Sequence, residues 1–429
     1  MSSSLKGNAV VGQSGGPTAV INQSLVGVIQ AAAGSKAIER LLGAKHGVRG
    51  IKDEMFIDLK GLDDDLLERV AATPSSALGS TRDKPKEEYC ARIVDVFQKL
   101  DVRYFFYIGG NDSADTARIV CEEAARKKHE LRVFHVPKTI DNDLRVTDHC
   151  PGYGSAARFV ACAMMGDDRD NASLPGIKID VIMGRNAGWL TAASVLGRQD
   201  DSDGPHLVYV PESILTEEQF VEDVAREYDH RGRCLVAVSE GIEGPSPAGY
   251  ERKTARGVEH PEHISWGERI AWEAQKSGLG QLEYDEHGNV QLSGSGALGD
   301  ALSRIVKDKV AAKLGIKKLR VRADTFGYLQ RSFAGFTSPV DAAEARQVGA
   351  EAVRMALAGE PSGSVAMVRT EGGAYGVSLI RAELKDVARE TKPLEEKFIT
   401  ASGIGIAEDA FRTYAMPLVG KLPAVGKLI

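Results

Sequence analysis

The chain has 429 residues, 43% of them apolar and 27% charged, with a formal net charge of -6. That is an ordinary globular composition, longer than one hydrophobic core usually serves, so two domains are expected. The acidic balance argues against a nucleic acid or an anionic membrane as partner, and no apolar run approaches the ~18 residues of a membrane helix.

The first residues, Met1 to Lys6, lack the apolar core of a signal peptide. Asn8 to Gly12 reads as a strand. It opens into the glycine turn Gln13-Ser14-Gly15-Gly16-Pro17-Thr18, and a helix follows from about Ala19 to Ala33, ending near Gly34. Residues 34 to 84 are mixed and give no clear period. Pro85 stands where a helix could begin, and Tyr89, Ile93, Phe97 and Leu100 repeat at helical spacing. Tyr104 to Ile108 is an aromatic and β-branched strand running into Gly109-Gly110-Asn111-Asp112-Ser113, then a helix to about Lys127. Arg132 to Val136 is the next strand. It delivers Pro137-Lys138-Thr139-Ile140-Asp141-Asn142-Asp143, where two carboxylates, a hydroxyl and a lysine fall within six positions.

The same order resumes beyond it. A helix is expected over Ser155 to Met165, a strand over Ile179 to Met183, then Gly184-Arg185-Asn186 and a helix over Ala187 to Leu196. Leu207 to Val210 reads as a strand, Glu217 to Tyr228 as a helix, and Leu235 to Val238 as a strand ending at Ser239-Glu240-Gly241. Residues 243 to 297 are polar and weakly periodic, an insertion with one helix near Trp266 to Gln275. Leu298 to Leu314 looks helical. Leu319 to Ala323 is a strand leading into Phe326-Gly327-Tyr328-Leu329-Gln330-Arg331, Asp341 to Ala358 a helix, and Ser364 to Val368 a strand. Strand–helix alternation with short connections gives parallel sheets covered on both faces. The domains expected are 1–150, completed by a later segment near 298–325; 151–345 with the polar insertion; and a C-terminal extension, 346–429, packing back on both. The five scattered cysteines, Cys90, Cys121, Cys150, Cys162 and Cys234, predict neither a disulfide framework nor a zinc site, and a reducing, cytoplasmic setting fits them.

Five strand ends open into loops carrying glycine, charge or both: Gln13–Thr18, Gly109–Ser113, Pro137–Asp143, Met183–Asn186 and Phe326–Arg331. In parallel sheets such loops gather at the carboxyl edge, where ligands bind. Gly15 and Gly16 let the backbone approach an anion, although a tight turn alone would also use them. The Gly109 loop offers N–H groups at a helix start. Asp112 there is either a helix cap or a carboxylate occupying space that a longer polyphosphate needs.

These stretches, together with Gly79-Ser80-Thr81-Arg82, resemble the phosphofructokinase family in its pyrophosphate-dependent branch, in family order over residues 12 to about 345. The resemblance implies an α/β fold of two Rossmann-like domains with mostly parallel sheets and an active site in the cleft between them. It implies a kinase of glycolysis and gluconeogenesis that reversibly phosphorylates fructose 6-phosphate with pyrophosphate and Mg²⁺. Asp141 matches the base that takes the proton of the sugar's 1-hydroxyl, with Thr139 and Asp143 beside it. Met183, Gly184 and Arg185 match the loop holding the sugar phosphate and the transferred group, and Glu240 a sugar-hydroxyl ligand. Tyr328 and Arg331 match the 6-phosphate site. Arg322 matches an arginine lent to a neighbouring subunit, hence the expected homodimer. Gly15 and Arg82 match donor contacts. Asp112 and Lys138 mark the pyrophosphate branch, the first standing where a nucleotide's α-phosphate would lie and the second stabilising the moving phosphoryl group.

Two positions depart from the family pattern. Asn111 replaces the first acid of G-G-D, which the family uses near magnesium. Gly176 stands where some relatives carry an arginine; either Lys178 substitutes for it or the inter-subunit contact is absent. His135 is expected to be packed in its strand rather than catalytic. The rival functions are an ATP-dependent 6-phosphofructokinase and a non-catalytic subunit that binds sugar phosphate. A dinucleotide oxidoreductase is opposed by the lack of G-x-G-x-x-G after the first strand.

Overall fold

The computed structural model describes residues 5–254, 257–277, 295–370, 372–388 and 390–428. The strands of its two main sheets are β1 (Gly7–Gln13), β2 (Ile38–Ala44), β3 (Phe56–Asp58), β4 (Val102–Gly109), β5 (Arg132–Pro137), β6 (Ile177–Ile182), β7 (Leu207–Tyr209), β8 (Cys234–Ser239), β9 (Val321–Thr325), β10 (Gly363–Arg369) and β11 (Val377–Ala382). The chain divides into two compact units. Unit 1 comprises 1–156, 331–392 and 417–420, and unit 2 comprises 157–330, 393–416 and 421–429.

The sheet of unit 1 has the order β11-β10-β5-β4-β1-β2-β3. Its inner strands run parallel, while β3 and β11 are antiparallel edges. Successive side chains of a strand point to opposite faces, and the two cores divide accordingly. Ala9 and Val11 of β1 join Tyr104, Phe106 and Ile108 of β4 against Ile21, Leu25, Val348 and Ala352. Val10, Phe105 and Tyr107 pack on the other face with Ile93, Phe97, Ala117 and Val120. Burial on both faces is why these strands read as unbroken apolar runs. The helices Ile21–Ala33 and Pro339–Leu357 cross at glycines. A Cβ on Gly27 would lie 2.1 Å from the Arg346 carbonyl oxygen, and one on Gly349 2.1 Å from that of Ser24.

Unit 2 has the parallel order β9-β6-β8-β7. Ile177, Ile179, Val181, Val236 and Val238 pack against Phe220, Val224, Leu298 and Leu302.

Several elements differ from expectation. Residues 34–84 hold β2, β3 and helices Val48–Lys52 and Asp64–Ala72. The helix expected over Ser155–Met165 spans Tyr153–Ser173. Residues 187–196 form only the short helix Trp189–Ala192 and a 3-10 turn, Ala193–Gly197. Residues 298–325 belong to unit 2, where β9 pairs with β6. The return to unit 1 comes instead at Arg331, so 331–345 fall in unit 1 rather than the second domain, and it runs through the helix Pro339–Leu357 to β10 and β11, β10 supplying the parallel neighbour of β5. Residues 346–429 are therefore integral to both units rather than an extension. Of the polar insertion, helix Trp266–Lys276 is present and closed by a capping box of Ser265 and Glu268, while 278–294 lie outside the described residues. No helix among the described residues is long and apolar enough to cross a membrane, and the five cysteines are unbridged.

Candidate active site

In unit 1 three strand ends stand side by side: β1 beside β4, and β4 beside β5. The loops they open therefore share one edge. Ser14 and Ser113 hydroxyls meet at 2.5 Å, joining the first loop to the second. The Lys138 amide donates to the Gly109 carbonyl at 2.9 Å, joining the second to the third. His135 lies fully buried beneath them. Its Nε2 reaches the Gly109 carbonyl and its Nδ1 the Ser364 hydroxyl, both at 2.8 Å, and burial pushes its pKa down to about 4. A neutral imidazole that holds a loop is the packed role expected of it.

Lys138 is 3% exposed, and its ammonium donates to the Gly16 carbonyl at 2.6 Å. Gly15 has φ +73°, and a Cβ there would come 3.2 Å from the Lys138 Nζ. A Cβ on Gly16 would lie 2.9 Å from an Arg331 guanidinium nitrogen. The two glycines thus leave room for two cations against one turn. Burial, with Arg331 and Arg82 nearby, lowers the Lys138 pKa to about 8, while Asp141 and Asp143 act the other way. Arg331 is in this cluster within unit 1, whereas Tyr328, expected to share its ligand, is an exposed residue of unit 2.

The loop after β5 is braced from behind. Thr139 Oγ1 accepts the Asp141 amide at 3.1 Å. Its hydroxyl also bonds the Asp143 carboxylate, although burial still raises that acid's pKa. Asn142 has φ +56°, and its side-chain oxygen accepts the Cys150 amide at 3.0 Å. The Lys392 amide bonds the Asp143 carbonyl at 2.7 Å. Further along, His149 bridges Asp148 at 2.8 Å and Glu344 at 2.7 Å, and Asp341 accepts the Gly152 and Ser155 amides, each at 2.8 Å.

Asp112 is not a helix cap. The helix Asn111–Arg126 starts after Gly110 with no side-chain cap, and the Asp112 carboxylate projects outward to the Lys84 ammonium at 2.8 Å. Lys84 went unnoticed in the sequence, although it lies two residues beyond Arg82. Asn111 Oδ1 accepts the Asp112 amide at 3.0 Å, and a carbonyl oxygen keeps a second lone pair. Among the described residues, no trio of acids suited to a metal lies in these loops. The donor set fits Mg²⁺ carried mainly by substrate phosphates, which is its usual mode, with Asn111 and Asp112 as the oxygens available.

In unit 2 the loops after β6, β8 and β9 also converge. The Met183 amide donates to Gln330 Oε1 at 3.2 Å, and Gln330 in turn donates to the Gly327 carbonyl at 2.8 Å. The Ser239 hydroxyl donates to the Gly184 carbonyl at 2.6 Å. A Cβ on Gly241 would lie 2.0 Å from the Arg185 carbonyl oxygen, so the loops of Arg185 and Glu240 touch. Met183, Gly184, Arg185, Glu240 and Tyr328 belong to this one cluster. Arg322 does not. It lies within β9 in register with Lys178, exposed at a cavity of about 230 Å³. Lys178 is bound inward, at 2.7 Å to Asp167 and 3.0 Å to Asp324. Its ammonium is thus engaged by acids of its own unit.

A family model described as phosphofructokinase matches residues 8–356. The pyrophosphate--fructose 6-phosphate 1-phosphotransferase of Rhodospirillum rubrum is 51% identical over 416 residues, 97% of this chain and 95% of that protein. The enzyme of the same name from Halomonas elongata is 34% identical, covering 98% and 96%. Among solved structures, a pyrophosphate-dependent phosphofructokinase from Marinobacter aquaeolei superposes with a TM-score of 0.77 at 32% identity, over 98% of this chain and 94% of that one.

Proposed function

The chain belongs to the phosphofructokinase family, and from that premise we propose that it transfers a phosphoryl group reversibly between pyrophosphate and the 1-hydroxyl of fructose 6-phosphate. The observation that carries this reading is the buried Lys138 ammonium set with Arg331 against Gly15–Gly16, in a loop that also presents Asp141. Cations and backbone groups suffice for pyrophosphate, which has neither base nor ribose to recognise. The exposed carboxylate of Asp112, paired with Lys84, opposes a longer polyphosphate by charge and bulk.

Catalysis then rests on positioning and electrostatics, as phosphoryl transfer generally does. Asp141, whose amide Thr139 fixes, accepts the proton of the sugar's 1-hydroxyl. The oxygen attacks the near phosphorus of pyrophosphate in line, the bridging P–O bond breaks, and orthophosphate leaves with its charge offset by Lys138, Arg82 and Arg331. The Gly109 loop presents helix-start amides to the same anion, while the Gly15 amide is held by the Thr81 carbonyl at 2.9 Å. Mg²⁺, when bound through Asn111 or Asp112 and the pyrophosphate oxygens, supplies further neutralisation. In unit 2 Met183, Gly184 and Arg185 are assigned to the sugar phosphate, Glu240 to a sugar hydroxyl and Tyr328 to the 6-phosphate. Arg331, expected at the 6-phosphate, is here assigned toward the donor because its guanidinium stands against the Gly16 turn. Asp143 is assigned to holding Thr139. A cytoplasmic homodimer, with Arg322 serving a neighbouring copy, completes the proposal.

The test is turnover of the purified protein with pyrophosphate and, separately, with ATP. Turnover confined largely to pyrophosphate supports the donor assignment; equal or greater turnover with ATP refutes it.

A further inference from the structure

Unit 2 contains an acidic cluster that the proposed reaction does not use. Asp167 on the helix Tyr153–Ser173, Asp180 on β6 and Asp324 on β9 offer carboxylate oxygens that all lie within 4.8 Å of one another. Asp180 and Asp324 are direct register partners across the two strands. The Lys178 ammonium satisfies only two of the three, bonding Asp167 and Asp324. Asp180 is fully buried, and neither of its carboxylate oxygens finds a donor; its close polar neighbour is the Asp167 carboxyl. A buried carboxylate left so is expensive unless a proton or a cation meets it. Three carboxyl groups thus face one ammonium, with Arg320 and Arg322 at the wall of the adjoining cavity, and regular backbone elements fix all three.

We propose that Asp167, Asp180 and Asp324 form a divalent-cation site for a hard, oxygen-seeking ion such as Mn²⁺ or Mg²⁺, with the Lys178 ammonium as a tethered competitor for it. Hard cations take carboxylate oxygens, and all three ligands come from regular elements rather than loops. An entry path exists. Lys178 and Asp324 both line the 230 Å³ cavity that opens beside the cluster, with Asp170 also at its wall. The ion would join β6 to β9, whose ends carry the Met183–Arg185 and Phe326–Gln330 loops. The competing state is a proton shared between Asp180 and Asp167, which binds no metal.

Mn²⁺ binding to the full-length protein without pyrophosphate, followed by electron paramagnetic resonance of the free ion, decides between them. The Asn111→Ala background is run in parallel to remove a contribution from the donor loops. The expected result is one Mn²⁺ equivalent that persists in Asn111→Ala, weakens at least tenfold in Asp180→Asn and in Asp324→Asn, and tightens at least tenfold in Lys178→Met. Asp324 is solvent-exposed, so its variant reports on the ion even if Asp180→Asn folds poorly. No Mn²⁺ equivalent in Asn111→Ala, or isotherms of Asp324→Asn and Lys178→Met that superpose on the parent, would overturn the proposal.

Discussion

Replacing Lys138 by Met should make the unliganded protein more stable while removing most of its activity. The ammonium is buried, and burial with two nearby guanidinium groups depresses its pKa from 10.5 to about 8, equivalent to roughly 3 kcal/mol against the charged native form. Met removes that penalty but also the bond to the Gly16 carbonyl, worth about 1.5 kcal/mol for a charged donor. The net gain at pH 7 is about 1–2 kcal/mol, or a few degrees in Tm. Its pH dependence follows from linkage. Below pH 8 both folded and unfolded chains keep the proton, and the native state bears the full penalty. Between about 8 and 10.5 the native lysine deprotonates first, the unfolded chain binds more protons, and the parent gains stability as pH rises. The advantage of Lys138→Met should therefore be present at pH 7 and gone near pH 10.5. Turnover should fall by roughly 10² to 10³, the usual loss when one preorganised donor to a developing charge is removed. Thermal unfolding of both proteins at pH 7 and pH 10, with steady-state kinetics at pH 7, measures each term. A variant less stable than the parent at pH 7, or one whose advantage does not change with pH, would refute the electrostatic account of this lysine.

Asp141→Asn should lower kcat by about 10² to 10⁴, the range for loss of a general base, with little change in either KM; a kcat within threefold of the parent would remove Asp141 from that role. Asp112→Gly should raise the ATP-to-pyrophosphate ratio of kcat/KM at least tenfold, about 1.4 kcal/mol, and an unchanged ratio would show that this carboxylate does not select the donor. Gly349→Ala places a methyl against the Ser24 carbonyl and should destabilise by about 1–3 kcal/mol, read as a lowered Tm with kcat per folded molecule unchanged. For His149, burial opposes the charge, but the bonds to Asp148 and Glu344 outweigh it and raise the pKa above 6.5. Its stabilisation is complete below pH 6.5 and is lost as pH rises through the folded value. His149→Gln should accordingly flatten the decline in Tm across that window, and an unaltered decline would place its origin elsewhere.

The loops of unit 1 were legible because each follows a strand buried on both faces. Val10, Phe105, Phe106 and Val133 make apolar runs that no surface strand would show, and the polar residues after them are then conspicuous. Residues 34–84 were not legible. In β2, Glu39 and Arg40 interrupt the apolar residues and break both helical and strand periods, while β3 is short and half-exposed. Within the candidate site, the sequence showed which residues carry charge but not which of them meet. Arg331 stands three residues from Tyr328 yet belongs to the other unit, and Lys178 is captured by Asp167 and Asp324, eleven positions behind it and far ahead in the chain. Such partnerships are set by tertiary pairing of strands, to which local pattern is blind.

The strand order of unit 1 also bears on how the chain is made. β5 acquires its outer neighbour from β10, and the bonds tying the two, Val133 to Ser362 and His135 to Ser364, close over 229 residues. At ~5–20 residues per second the ribosome delivers that neighbour roughly 10–45 s after β5 itself has emerged. Throughout that interval the growing polypeptide presents β5 as a bare apolar edge, the kind that recruits other strands. All four strands of the main sheet of unit 2 emerge within the same interval, so that sheet can close before the sheet of unit 1, which begins nearer the N-terminus.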